Sequence, residues 1–263
     1  MTIVALTPFD LCLAAGLIAI LALLSLRLHL GLVKSLILAA VRTTVQLLLI
    51  GLVLKALFSH VNIGWMALMA TVMLLAAGRE VMARQKRRFI GWWGYGLAAM
   101  SMFISSFSIT VLALGVIIQV KPWYAPQYAI PLLGMLLGNT MNGVSIGLDR
   151  LMSTAWDQRA VIEGRLTLGQ TWSQAIEAIR RESVRSGLIP IINAMMAAGL
   201  VSLPGMMTGQ ILAGNPPMEA VKYQILIMFL IAGGTGLGTM AAVWLASRHL
   251  FDERQRLRLD RVK

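Results

Sequence analysis

The chain has 263 residues, 58% of them hydrophobic and only 13% charged, with a formal net charge of +12 at pH 7. An ordinary soluble domain holds about 45–50% apolar and about 25% charged residues, so a water-soluble fold is excluded. The apolar runs are continuous rather than alternating, which excludes an outer-membrane type of barrel and leaves an all-α, polytopic transmembrane helical bundle.

Seven spans are predicted, at 7–26, 33–56, 61–78, 92–119, 129–148, 187–204 and 223–247. The start, MTIVALTPFD, places no basic residue ahead of its apolar run, so a cleaved signal peptide is not expected. No internal repeat and no separate soluble composition interrupts the pattern. Residues 1–263 therefore read as a single transmembrane domain with a polar loop at 149–186 and a tail at 248–263.

Cations sort between alternate connections. Arg27 and Lys34 flank the first, Arg79 to Arg88 crowd the third, Arg150 to Arg185 occupy the fifth, and Arg248 to Lys263 fill the tail. The other connections hold only Lys121 and Lys222, so nineteen of the 23 cations share one side. The positive-inside rule makes that side cytoplasmic, with the N-terminus outside and the C-terminus inside. These cations hug membrane boundaries, where anionic headgroups of the lipid bilayer meet them. Nucleic acid is accordingly rejected as a partner.

The first polar pair inside a span is Arg42 with Gln46, four residues apart and hence on one helix face. A central Arg costs about 2.5–3.5 kcal/mol on insertion scales, against about 0.3–0.6 returned by each Leu, Ile or Val. Two readings stand: a lining of a transport path or an interhelix anchor, or an Arg that snorkels toward the side of Lys34. Asn139, Asn142 and Ser145 form a second stripe beside Gly134, Gly138 and Gly143. Close helix packing explains such a stripe, and a water-filled path explains it equally. Ser101, Ser105 and Ser108 make a weaker version.

The segment SLPGMMTGQILAGNPPMEAVKYQ is too long for a tight turn and too apolar for full solvation. Pro204, Gly205 and Gly209 are expected to break it into an interfacial or re-entrant piece, with Pro204, Gly205, Met206, Met207 and Gln210 as outer-gate candidates. Methionines 206 and 207 suit a soft cation, but 17 methionines fill gaps throughout the chain, so no metal ligand set is assigned. Cys12 stands alone, and His29, His60 and His249 lack helical metal spacing. GGTGLG at 233–238 follows no strand and reads as tight helix packing rather than a nucleotide fingerprint. No GxxxxGK[ST] occurs, so the chain has no P-loop and binds no cofactor on this reading.

The stretch VIEGRLTLGQTWSQAIEAIRRE, 161–182, departs from its apolar surroundings. Thr171 and Gln174 have capping-box spacing, which starts a helix near Trp172, and Gly169 can end the preceding helix in a left-handed conformation. Trp172, Ala175, Ile176 and Ile179 form one apolar stripe, while Glu177 and Arg181 pair on another face. That stripe needs a cover: the protein's own helices, the lipid surface or a partner.

Four blocks in order, VRTTVQLLLIGLVLKALF, PLLGMLLGNTMNGVSIGLDR, EGRLTLGQTWSQAIEAIRRE and GLVSLPGMMTGQILAGNPPMEAVKYQI, resemble the FetB-type family of ABC-transporter permeases. The likeness runs over nearly the whole chain, and LPGMMTGQIL is its most specific part. Bacterial members of that family are implicated in iron export and plant relatives in aluminium tolerance. The resemblance implies a non-enzymatic inner-membrane permease that works with a separate FetA-type ATP-binding subunit, where ATP is hydrolysed, two copies pairing around two such subunits. It also makes Glu163, Gly169, Thr171, Trp172 and Gln174 candidates for the coupling element. An ion-coupled secondary transporter and a non-enzymatic scaffold are the alternatives. The spans hold no deep Asp or Glu, so a hydrated, chelated or anionic substrate suits them better than a bare hard cation.

Overall fold

The computed structural model describes residues 7–59 and 62–263. His60 and the first residue of the predicted third span therefore lie outside the described residues. The described chain falls into two compact units, one holding the first two helices with Leu212–Gly214, the other Ile63–Ile211 and Asn215–Lys263.

In the first unit, α1 (Pro8–Arg27) and α2 (Val33–Ser59) form a helical hairpin. Thr7 caps α1 by accepting from the Asp10 N–H while Asp10 accepts from the Thr7 N–H, a reciprocal box that satisfies two orphan donors. The chain reverses through His29 and Gly31, both at positive φ.

The second unit begins with α3 (Ile63–Arg84), followed by α4 (Trp93–Met102) and α5 (Ser108–Leu112). Two π-helical turns, Phe103–Phe107 and Ala113–Ile117, extend α4 and α5 into one apolar run, Trp93–Ile117. Each π turn inserts a residue into the helical register. The buried hydroxyls are consequently Ser101, Ser105, Ser106 and Thr110, whereas Ser108, expected on that stripe, is exposed.

Helix α6 (Pro126–Asp157) is about 48 Å long at 1.5 Å per residue, well beyond the roughly 30 Å of a hydrocarbon core. It is followed by α7 (Arg159–Thr167), α8 (Trp172–Ala175), α9 (Glu177–Ala197), α10 (Gly205–Leu212) and α11 (Pro217–His249). Six stretches are long and apolar enough to cross a membrane, not seven. The missing one is 187–204. Only its first eleven residues are helical, and they form the apolar half of α9, about 16 Å of rise. The other half carries Glu177, Arg180, Arg181, Glu182 and Arg185. After α9, Gly199 turns the chain at φ +84°, and Pro204 precedes α10. Gly209 does not break α10 but lies within it.

Close approaches set the helix directions. Gly143 and Gly147 of α6 meet Gly187 and Ser183 of α9, so those two run antiparallel. Leu136, Gly143 and Gly147 meet Gly234, Thr239 and Val243, so α6 and α11 run parallel. Met73 lies at Gly134 and Arg84 at Asn142, making α3 parallel to α6 as well. In this unit every Lys and Arg except Lys121 and Lys222 falls toward the end where α3, α6 and α11 finish. That end is the basic end of the unit. Gly234 and Gly238 of the GGTGLG run pack against Leu136, Thr140 and Ser105, the close helix contact anticipated for it.

Candidate coupling element and clefts

The polar segment forms a rigid hairpin at the basic end. Helix α7 stops at a full Schellman turn: the Gly169 N–H donates to Leu166 O at 3.0 Å and the Gln170 N–H to Arg165 O at 3.1 Å, with Gly169 at φ +87°. Two residues later Thr171 caps α8, its hydroxyl accepting from the Gln174 N–H while Gln174 Oε1 accepts from the Thr171 N–H at 2.9 Å. Arg165 bridges the two arms by donating to Ala175 O at 3.1 Å. Glu177 and Arg181 pair as their spacing implied. Of the three covers open to the apolar stripe, the protein's own helices supply it. Ala175 and Ile176 are fully buried, Ile179 nearly so and Trp172 half-buried, within one core with Ile162, Leu250 and Phe251. What remains outward is the tip, where Leu168 is 85% exposed beside the exposed Glu163, Gly169, Gln170 and Thr171.

The C-terminal tail folds over this hairpin. The Trp172 N–H donates to Gln255 Oε1 at 2.9 Å, and the Trp172 ring lies 5.9 Å from that of Phe251. The Arg248 guanidinium stands 5.3 Å over Trp172, close enough for a cation–π attraction. Beyond it the tail pairs with the α3–α4 connection: Arg88 and Lys263 exchange backbone bonds of 2.9 and 2.8 Å, and the Ile90 N–H donates to Arg261 O at 2.9 Å. The Arg258 guanidinium bonded to Asp260 holds that carboxyl at about 2, and the Arg256 N–H lowers Asp252. The tail and the hairpin tip enclose a groove of about 760 Å³. Sequence reasoning treated the tail only as a cluster of charges. The signal was the apolar series Phe251, Leu257, Leu259 and Val262 spaced among the arginines.

Two clefts open in the same unit. At the basic end, α3, α6 and α9 surround about 560 Å³ lined by Arg84, Lys86, Asn142, Ser145, Asp149, Arg150, Ser153, Glu182 and Ser186. Arg84 Nη1 donates to Asn142 Oδ1 at 2.6 Å, and the Lys86 backbone N–H to Asp149 Oδ1 at 2.8 Å. Ser145 is only 5% exposed and its hydroxyl has no partner. Two members of the predicted stripe thus share this cleft. The third, Asn139, bonds back to Met135 O at 2.9 Å and does not line it, because steps of three residues turn 60° short of a full circle each time.

At the opposite end, about 410 Å³ lies among α6, α10 and α11, lined by Met135, Met206, Gln210, Asn215, Glu219 and Tyr223 among others. Met206 and Gln210, four apart on α10, reach it; Pro204, Gly205 and Met207 do not line it. Glu219 is tied to Lys222 at 2.8 Å. Arg42 and Gln46 belong to the other unit, both exposed on α2. Among the described residues no group of three His, Cys, Asp or Glu is placed to hold a metal.

Comparison with known proteins adds a family. The one described as "Uncharacterised protein family (UPF0014)" matches residues 8–251. A Synechocystis protein named "UPF0014 membrane protein slr1647" is 42% identical over 233 residues, 87% of each chain. The Escherichia coli "Probable iron export permease protein FetB" is 31% identical over 262 residues, 98% of this chain and 97% of its own. The Arabidopsis thaliana "Protein ALUMINUM SENSITIVE 3" is 33% identical over 247 residues, 93% and 88% of the two chains. No solved structure matches this chain.

Proposed function

This chain belongs to the UPF0014 family, and on that footing we propose that it is the membrane-spanning permease subunit of an ABC transporter that exports iron across the bacterial inner membrane. ATP is hydrolysed on a separate FetA-type subunit, and two permease copies pair around two such subunits. The substrate class rests on the likeness to a protein whose name records iron export.

The observation that carries the coupling role is the α7–α8 hairpin. Its caps, its bridge through Arg165 and its buried stripe make it stiff, and α8 leads into α9 through Ile176 alone. A force on the exposed tip at Glu163 and Leu168–Thr171 therefore moves α9 rather than bending the turn. The motor meets the tip and not the Trp172 stripe, which is already covered.

The basic end is cytoplasmic in this reading, by the positive-inside rule. The chain then crosses seven times, N-terminus outside and C-terminus inside. Parallel α6 and α11 support the count, because the chain must return between them. The return is made in two pieces, α9 and the segment through α10.

Co-reconstitution in lipid with the ABC-type ATP-binding subunit tests the proposal through ATP turnover and iron flux. Gly169→Val forces a β-branched residue to φ +87°, at about 1–2 kcal/mol of local strain, and Glu163→Arg reverses the charge of the tip. Both should uncouple turnover from flux while the spans stay folded. ATP turnover indifferent to this chain would refute the permease role and leave an ion-coupled secondary transporter or a scaffold.

A further inference from the structure

The basic-end cleft holds both signs of charge without cancelling them. Arg84, Lys86 and Arg150 share it with Asp149 and Glu182, and among the described residues none of the five forms an ion pair with another. Arg84, Lys86, Arg150 and Glu182 are exposed and Asp149 is half-buried, so their charges remain available to a ligand entering from solvent. Some of the groups are also aimed in advance. Asn142 fixes one Arg84 nitrogen, leaving the other guanidinium donors available, and the Lys86 N–H fixes one Asp149 oxygen, leaving the second. The Ser145 hydroxyl, 5% exposed and unpartnered, adds a buried polar group with no protein ligand, where such groups are normally satisfied.

From this we infer that the cleft binds the exported metal as an anionic oxygen chelate, a metal ion already held by a small polycarboxylate, and not as a bare ion. The inference rests on the permease reading for its direction and deepens it by naming the form of the substrate. A bare cation meets three positive charges and only two carboxylates, while a bare polyanion meets the two carboxylates. A chelate carries both signs. Its carboxylates accept from Arg84, Lys86 and Arg150, where arginine offers paired donors matched to a carboxylate. Its metal presents exchangeable positions to hard oxygen donors, which Asp149 and Glu182 supply, and the hydroxyls of Ser145 and Ser186 line the same cleft. The volume of about 560 Å³ falls within the roughly 300–1,000 Å³ typical of small-molecule sites. The residues come from α3 and the turn just after it, from α6 and from α9, so an occupied cleft ties the helix leading from the coupling hairpin to its two neighbours.

Calorimetric titration of the purified chain in lipid nanodiscs, without any ATP-binding subunit, tests this directly. The probes are ferric citrate, gallium citrate as its redox-inert match, citrate alone and manganous ion alone. Both complexes should bind, and citrate or the bare ion should bind at least tenfold more weakly. Glu182→Gln and Arg150→Gln, both at exposed positions of the rim, should each weaken the complexes at least tenfold. Arg185→Gln, equally exposed on α9 but outside the cleft, should change binding less than twofold. Failure of the complexes to bind, equal binding of the bare ion or of citrate, or an equal loss in the Arg185 variant would each overturn the inference. The two levels separate cleanly. ATP-driven iron export that survives both rim substitutions removes the cleft and keeps the permease, whereas chelate binding by a chain that no ATPase responds to keeps the cleft and removes the permease.

Discussion

Replacing Gly187 by Ala should destabilise the second unit, although Ala is the better helix former. A Cβ built there lies 2.6 Å from the Gly143 carbonyl oxygen and 2.8 Å from Thr239 Cγ2. The first neighbour is backbone, so relief requires α9 to move away from α6 and not merely a side chain to rotate. Overpacking of this kind costs about 1–3 kcal/mol, and the Gly-to-Ala gain in helix propensity returns only about 1 kcal/mol. The net loss, up to about 2 kcal/mol, lowers the thermal midpoint by up to about 8 °C, at about 2–4 °C per kcal/mol for a domain of this size. Gly164→Ala provides the opposite case. It lies in α7 with nothing within 4 Å of the new Cβ, so propensity acts unopposed and the midpoint should rise by up to about 4 °C. Thermal unfolding of both variants in one detergent, followed by size-exclusion fluorescence, measures the difference. Equal midpoints for the two, or a Gly187→Ala midpoint at or above the parent's, would refute the claim that α6 and α9 touch backbone to backbone.

Further outcomes concern the tail and the topology. Phe251→Ala removes a ring buried against the hairpin at about 3–5 kcal/mol and should expose the 250–263 segment to limited proteolysis while α11 stays protected. The tail should also loosen in acid. Asp260 titrates at about 2 against an ordinary 3.8, so its stabilising contribution is complete above the ordinary value and is lost as the pH falls through about 2. Hydrogen exchange at the tail amides, corrected for intrinsic rate, should accelerate as the pH falls across that window; exchange unchanged between the ordinary value and about 2 would contradict the assignment. Single cysteines at Leu168 and at Trp123 in a chain whose Cys12 is Ser should label from opposite sides of the membrane, Leu168 from the cytoplasm. Labelling from the same side would overturn the orientation.

Much of the architecture was legible because it is written locally. Apolar runs of about 20 residues placed α1, α2 and α3 within a few residues of their observed starts, since a helix crossing lipid must satisfy its backbone internally wherever its neighbours are. The caps at Thr171 and Gly169 were legible for the same reason, their bonds reaching only three to five residues along the chain. The π turns of the fourth run were not, because nothing in FISSF separates a π turn from an α turn. One inserted residue exchanged Ser106 for Ser108 on the buried face.

Composition and pattern alone determined that this is a helical membrane protein, which end carries the charge, and that 161–182 is a capped hairpin. Only the tertiary structure decided that the hairpin's apolar stripe is already covered, that the tail is folded, and that Arg84, Asn142, Asp149 and Glu182 share one cleft. Those outcomes depend on how helices separated by tens of residues are rotated and set against each other. A hydropathy pattern reports whether a face is apolar, but not which of several apolar surfaces it meets.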